Sequence, residues 1–233
     1  MNRRIAGIAL LALGMAAGAW FQFTRGTPAV GTPAVGTPAA GTAVRVAAGE
    51  ASAPNPNDFG PELTPPKIPD RLPQFSLGDR SGKTTPIASF AGKSLIINFW
   101  ATWCAPCRSE IPLLESLQAE WAARGASVVG IAVDHRDEVL EFADRFKIGY
   151  PLLIGEQDAL DAAASFGVTS PVFPFTVFTD RRGEVVALFI GELHQPQAEL
   201  ILSQVQQLND GQIELPAARR AITAGLSALH SST

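Results

Sequence analysis

Hydrophobic positions along the chain fall into short continuous runs and longer periodic stretches. The continuous runs have the length and composition of buried strands and cover residues 94–99, 127–133, 150–154, 175–179 and 185–190. In other stretches apolar residues recur every three or four positions, which predicts helices over 107–124, 137–147, 158–166 and 196–208. Strands that alternate with helices and end in an antiparallel hairpin indicate an α/β protein, with a mixed sheet and helices on both faces.

Further elements are predicted before and after this core. Residues 72–77 and 85–87 flank the turn-forming segment 78–83, and this arrangement predicts an N-terminal β-hairpin. We therefore place the folded domain at residues 68–210. Residues 211–233 form a C-terminal helical extension with an apolar stripe, which suits either packing on the domain or binding of a partner.

The first 23 residues have the features of a targeting segment. Arg3 and Arg4 precede 19 mainly apolar residues, 5–23, close to the ~20 needed to span a bilayer. Segment 17–19 fits a signal-cleavage site, but the apolar run continues through Trp20, so we favour an uncleaved membrane anchor. The two arginines predict a cytoplasmic N-terminus and an exported C-terminal domain.

Residues 24–67 predict a linker rather than a folded unit. The pentapeptide Gly-Thr-Pro-Ala-Val is repeated from Gly26 onward, and its proline and glycine oppose regular helix or strand. We interpret this segment as a disordered tether with an end-to-end distance of about 35–40 Å. Such a tether would let the domain search a shell above the membrane.

Charge and cysteine content narrow the possible functions. The chain has 18 basic and 22 acidic residues, a net charge of −4, which gives no sign of nucleic-acid binding. It has only two cysteines, which argues against a scaffold held together by disulfides. Two cysteines fit a catalytic pair in an exported protein.

The two cysteines form a Cys-Ala-Pro-Cys motif between a predicted strand and a predicted helix. Cys104 lies at the helix start, where free N–H groups and the helix dipole favour a thiolate. Cys107 lies in the first turn and can attack a mixed disulfide formed on Cys104. A zinc site needs about four ligands, and the other candidates are three histidines and scattered carboxylates. We therefore predict a redox-active disulfide, with no metal and no other cofactor.

The segment 92–112, which contains Asn-Phe-Trp-Ala-Thr-Trp-Cys-Ala-Pro-Cys-Arg-Ser-Glu-Ile-Pro, resembles the thioredoxin superfamily. Within it, the chain is most similar to the TlpA/ResA-like branch of membrane-tethered bacterial thiol-disulfide proteins, over residues 68–210. The resemblance implies a thioredoxin-like fold and a thiol:disulfide oxidoreductase. It also implies a reductant of protein disulfides in cytochrome c maturation or copper-site assembly, located in the periplasm or on the extracytoplasmic face. A membrane thiol-transfer protein would then reduce it.

The resemblance also assigns residues around the cysteines. Glu110 matches an active-site acid of ResA-like proteins, and a partly buried carboxyl there would relay a proton to or from Cys107. Its alternative is an exposed first-turn glutamate that interacts with the helix dipole. Asn98 stands where thioredoxin has a buried aspartate, which leaves that role vacant.

Three further residues are expected to meet the substrate. Trp103 would provide a flat apolar surface beside the sulfur. Pro174 matches the cis-proline that thioredoxin-like proteins place opposite the cysteines, and it would leave the Phe173 backbone free to pair with an extended substrate. Pro171 is a rival candidate for the cis-proline.

The sequence leaves two other functions open. Peroxiredoxins share the general fold, but Ile97 and Ala101 stand where their Pro-x-x-x-Thr-x-x-Cys motif needs proline and threonine. A copper chaperone would use the cysteine pair as soft ligands. We interpret His135 as a surface residue.

Overall fold

A single mixed sheet of seven strands forms the centre of the domain. The computed structural model describes residues 68–170 and 172–231. The strands are β1 Ser76–Asp79, β2 Thr84–Pro86, β3 Ser94–Trp100, β4 Ala126–Val133, β5 Leu152–Gly155, β6 Phe175–Thr179 and β7 Val185–Ile190. The helices are α1 Ala105–Trp121, α2 Arg136–Phe146, α3 Gln157–Ser165, α4 Gln195–Asn209 and α5 Leu215–Ser231. The predicted anchor (1–23) and linker (24–67) lie outside the described residues, and no helix in the described part is long and apolar enough to cross a membrane.

The strand order is β2-β1-β5-β4-β3-β6-β7. The three central strands β5, β4 and β3 are parallel to one another, whereas the hairpin β1–β2 and strands β6 and β7 pair antiparallel. This topology confirms the predicted mixed α/β sheet and the N-terminal hairpin. The observed strands begin and end within a few residues of the predicted ones.

Two hydrophobic cores cover the two faces of the sheet. Alternate residues of β3 face opposite sides, so Ile96 and Trp100 belong to one core and Ile97 and Phe99 to the other. The first core also contains buried residues of α1, α2, α4 and α5, and the second contains buried residues of α3. Because β3 and β4 are buried along their whole length, they read in the sequence as continuous apolar runs.

Helix α1 carries the cysteine motif at its start. The helix begins two residues before the predicted position, with Cys104 as its N-cap and Pro106 in its first turn. A short 3-10 turn extends it to Arg124, and Gly125 ends it with a φ of 77°, a left-handed conformation that glycine adopts without a steric cost. The helix thus connects the active-site loop at the C-terminal edge of β3 to the start of β4.

Helix α5 packs against the sheet and α4. Its Ala218 and Ile222 are buried in the first core. Arg219 donates hydrogen bonds to the carbonyl of Val185 at 2.6 and 3.2 Å and forms an ion pair with Asp70 at 3.0 Å. The backbone of Asp70 in turn accepts a hydrogen bond from Val185 N–H at 3.0 Å. The apolar stripe of the C-terminal extension therefore faces its own domain.

Candidate active site

The cysteine pair lies where β3 ends and α1 begins. Cys104 and Cys107 are joined as a disulfide. The N–H of Cys107 points back to Sγ of Cys104 at 3.3 Å, as an N-cap interaction. Cys104 is 5 % exposed and Cys107 is 1 % exposed, so Cys104 is the more accessible of two largely buried residues. This helix-start position is the one that the sequence predicts for a thiolate nucleophile.

Glu110 lies on the buried side of α1, one turn after Cys107. Glu110 is only 1 % exposed, so the alternative interpretation of an exposed charge at the helix end is wrong. Oε1 accepts a hydrogen bond from Asn98 Nδ2 at 2.6 Å, and Oε2 accepts one from Leu193 N–H at 3.0 Å. Asn98 Nδ2 also approaches Thr176 Oγ1 at 3.1 Å. The carboxyl therefore has two hydrogen-bond partners from separate parts of the chain, and one of them, Asn98, is itself bonded to a third part.

Burial changes the acidity of Glu110. Removal from water raises its pKa from 4.5 to about 7, while the hydrogen bonds from Leu193 and Asn98 act in the opposite direction. A group with a pKa near 7 exchanges a proton readily at neutral pH, which suits proton transfer. Asn98 does not replace the missing aspartate as an acid; it holds the acid that α1 supplies.

Trp103 and Phe173 form an apolar surface beside the cysteines. Trp103 is 66 % exposed, an unusual exposure for so large an apolar side chain. Its ring meets Phe173 edge to face at a centroid distance of 6.2 Å, and Phe173 stacks on Phe175 at 6.4 Å. Trp100, in contrast, is buried in the core. The exposed ring of Trp103 and the half-buried ring of Phe173 are available to contact another molecule.

The segment before β6 reaches the same edge of the sheet. Phe99 pairs with Phe175 in the β3–β6 register, so Pro174 comes level with the end of β3, where the active-site loop starts. The Phe173–Pro174 peptide bond is cis, as the resemblance implies, and the carbonyl of Pro174 accepts a hydrogen bond from Gly191 N–H at 2.9 Å. The rival Pro171 lies outside the described residues.

Several polar contacts at this site were not predicted. Asp134 follows β4 and accepts hydrogen bonds from Thr102 N–H at 3.1 Å and Thr102 Oγ1 at 2.5 Å. The sequence contains a usable signal, because Asp134 directly follows an apolar run and parallel strands end at one edge. Leu193 contributes a backbone N–H, which no residue type signals.

His135 lies at the surface and pairs with Glu156 at 3.1 Å. Within the described ranges, no three residues of the histidine, cysteine, aspartate or glutamate types come together in a way that would hold a metal ion.

The fold and the buried cysteine disulfide at the strand–helix turn define a thioredoxin-like thiol:disulfide oxidoreductase.

Comparisons with known proteins give the same class and define the family. The model of the AhpC/TSA family matches residues 68–188, and the chain belongs to this family as a TlpA/ResA-like protein of the thioredoxin superfamily. The thioredoxin-like protein YneN of Bacillus subtilis is 35 % identical over 133 residues, which cover 55 % of this chain and 75 % of YneN.

Two further proteins extend the comparison. The thiol-disulfide oxidoreductase ResA of Geobacillus kaustophilus is 29 % identical over 150 residues, covering 64 % of this chain and 84 % of ResA. A solved structure of a thioredoxin-family thiol:disulfide interchange protein from Chlorobium tepidum is 32 % identical with a TM-score of 0.50. It covers 60 % of this chain and 96 % of its own.

Proposed function

We propose that this protein is an exported, membrane-tethered reductant of protein disulfides. The observation that carries the proposal is the pairing of Cys104 and Cys107, at the start of a helix, with the buried carboxyl of Glu110 one turn further on. ResA-like relatives support this assignment, and the resemblance points to substrates in cytochrome c maturation or copper-site assembly. Residues 5–23 would hold the domain at the extracytoplasmic face of the membrane.

The catalytic cycle moves two electrons from the cysteine pair to the substrate. The Cys104 thiolate attacks one sulfur of the substrate disulfide, so that a mixed disulfide forms and the other substrate sulfur leaves as a thiolate, which takes up a proton. Cys107 then loses its proton and attacks Sγ of Cys104. This step forms the Cys104–Cys107 disulfide and releases the second substrate thiol.

The surrounding residues have separate roles in this cycle. Glu110, in its carboxylate form, accepts the proton that Cys107 must lose before it attacks, and a pKa of about 7 suits this transfer. Trp103 and Phe173 provide the apolar surface on which the substrate segment lies, and Pro174 supports the adjoining backbone. A membrane thiol-transfer protein supplies the two electrons that restore the dithiol.

Paired cysteine variants test the assignment of nucleophile and resolving cysteine. Cys107→Ser should trap protein substrates as mixed disulfides on Cys104, because the resolving sulfur is missing. Cys104→Ser is the matched control and should trap nothing. The reverse pattern would exchange the two roles, and no trapping by either variant would contradict the cycle.

The reduction potential tests the direction of electron flow. We expect a value close to that of thioredoxin, about −270 mV, together with reduction of insulin disulfides. A potential close to that of the oxidant DsbA, about −120 mV, would contradict a reductive role. Binding of copper in an anaerobic titration of the reduced protein, together with no reduction of insulin, would favour a copper chaperone instead.

A further inference from the structure

The contact between Thr102 and Asp134 has no role in the cycle described above. Asp134 Oδ2 accepts both the backbone N–H of Thr102, at 3.1 Å, and its hydroxyl, at 2.5 Å. Thr102 is separated from Cys104 by a single residue, Trp103. Hydrogen bonds to an ionised carboxylate are shorter and stronger than those between neutral groups. The active-site loop is therefore attached to Asp134 immediately beside the nucleophile.

Asp134 is itself held in place from two other directions. Its N–H donates to the carbonyl of Gly155, at the end of β5, at 3.1 Å. Its Oδ1 accepts a hydrogen bond from His135 N–H, just before α2, at 2.9 Å. Asp134 thus connects the ends of three neighbouring parallel strands, β3, β4 and β5. Of the loops that follow these strands, the one after β3 contains the cysteines.

The loop itself is short and leaves little freedom between Thr102 and the sulfur. The N–H of Cys104 donates to Ala101 O at 3.2 Å, which closes a tight turn around Thr102 and Trp103. The exposed Trp103 ring lies against Phe173. A rotation of Thr102 would therefore move the Trp103 ring and the backbone of Cys104 together, relative to the segment that precedes β6.

We propose that Asp134 and Thr102 are positioning residues, which hold Trp103 and Cys104 in the orientation that a protein disulfide requires for attack. The inference rests on the proposed disulfide-exchange cycle, because it concerns how Cys104 meets its substrate. Neither residue takes part in the exchange at the sulfur itself. Their effect passes through the backbone from Thr102 to Cys104.

Variants of Thr102 test this inference without a change of charge. Thr102→Val keeps the shape and the backbone N–H but removes the hydroxyl donor, whereas Thr102→Ser keeps both donors. Thr84→Val is the matched control, because Thr84 is exposed in the edge strand β2, which is separated from β3 by β1, β5 and β4. We expect kcat/KM for insulin reduction to fall about tenfold in Thr102→Val, the scale of one hydrogen bond to a charged group. Thr102→Ser should restore most of the rate, and Thr84→Val should match the wild type.

A small reagent separates orientation from thiol chemistry. Iodoacetamide needs no docking surface, so the alkylation rate of Cys104 in reduced Thr102→Val should stay within about twofold of wild type, with the same pH midpoint. Asp134→Ala should lose at least as much insulin reduction as Thr102→Val, and the double variant should lose little more than Asp134→Ala alone, since both changes remove the same contact. A purely structural role would instead lower the unfolding midpoint and leave kcat/KM of the folded fraction unchanged.

Several results would overturn the inference. These are a Thr102→Val rate equal to wild type, an equal loss in Thr102→Ser, or a shift of the alkylation midpoint that accounts for the whole loss. If Asp134→Ala does not fold, the Thr102 variants decide alone. Failure of the wild type to reduce insulin would contradict the proposed direction instead, and the same variants would then be compared in oxidation of a dithiol peptide.

Discussion

Replacement of Glu110 by glutamine tests the central electrostatic feature of the site. The folded-state pKa of Glu110 is about 7, against 4.5 for the group in water, because the side chain is buried. Between pH 4.5 and about pH 7 the folded protein binds more protons at this site than the unfolded chain does. The free energy of unfolding therefore falls as the pH rises through this window, and the whole penalty is present above pH 7.

The size of this penalty follows from the two pKa values. One pKa unit corresponds to about 1.4 kcal/mol, so the difference between 4.5 and about 7 amounts to roughly 3 kcal/mol. Glutamine does not titrate, and Glu110→Gln should lose this pH dependence. Its amide nitrogen cannot accept a hydrogen bond, however, so either Leu193 N–H or Asn98 loses its acceptor, which costs about 1–3 kcal/mol at every pH.

The ionisation penalty and the lost hydrogen bond together predict that the free energies of unfolding of wild type and Glu110→Gln, plotted against pH, converge or cross. At pH 4.5 the variant should be less stable than wild type by the cost of the lost hydrogen bond. Near pH 8 the wild type bears its full ionisation penalty, and the two proteins should have similar stability.

Urea denaturation of the oxidised proteins at several pH values, followed by tryptophan fluorescence, measures this difference directly. Glu120→Gln is the matched control, because Glu120 is an exposed acid of the same helix, and its curve should run parallel to wild type. Parallel curves for Glu110→Gln as well would show that Glu110 ionises like a carboxyl in water, and the burial argument would then be wrong. In the same variant, reduction of protein disulfides should slow near neutral pH, since Cys107 loses its proton acceptor.

Three further predictions concern other parts of the chain. Trp103→Ala should lower kcat/KM for protein disulfides roughly fivefold, since an aromatic contact contributes about 1 kcal/mol. It should leave the urea midpoint nearly unchanged, because the ring is exposed. An unchanged kcat/KM would show that Trp103 is not part of the substrate surface. Ile222→Ala should lower the free energy of unfolding by about 2–5 kcal/mol, because Ile222 is buried. Arg220→Ala is the control and should not lower it, because Arg220 is exposed. Equal stabilities of the two variants would show that α5 adds nothing to the core. The full-length protein should stay with membranes after carbonate extraction and a chain lacking residues 1–25 should not, and a mature N-terminus at Trp20 would contradict the anchor.

The sequence predicted the central strands well because they are buried on both faces. Apart from Ser94, Asn98 and Ser127, β3 and β4 consist of apolar residues and one glycine, so their apolar runs indicate buried strands. Helix ends were less accurate: α1 begins at Ala105 rather than 107 because Cys104 and Pro106 form its cap and first turn. Local sequence carries this capping information only weakly.

The candidate site was only partly accessible from the sequence. Cys104 and Cys107 are neighbours in the chain, so their spacing alone brings them together. The hydrogen-bond partners of Glu110 are not its neighbours in the chain. Leu193, for example, lies 83 residues away and contributes only a backbone N–H. The resemblance to ResA-like proteins predicts a partly buried proton relay at Glu110, but the hydrogen-bond partners of Glu110 and the extent of its burial depend on the fold.

The contact of Arg219 with Val185 and Asp70 has a consequence for the order of assembly. The ion pair between Arg219 and Asp70 joins residues 149 positions apart, so it forms only after nearly the whole domain has been synthesised. Until then the carbonyl of Val185 lacks the guanidinium that covers it, so the outer edge of β7 keeps an unpaired acceptor there even where the Val185 N–H is already paired with the carbonyl of Asp70. An open strand edge pairs readily with other chains. A growing or truncated chain that ends before Arg219 thus passes through a stage in which self-association competes with completion of the domain.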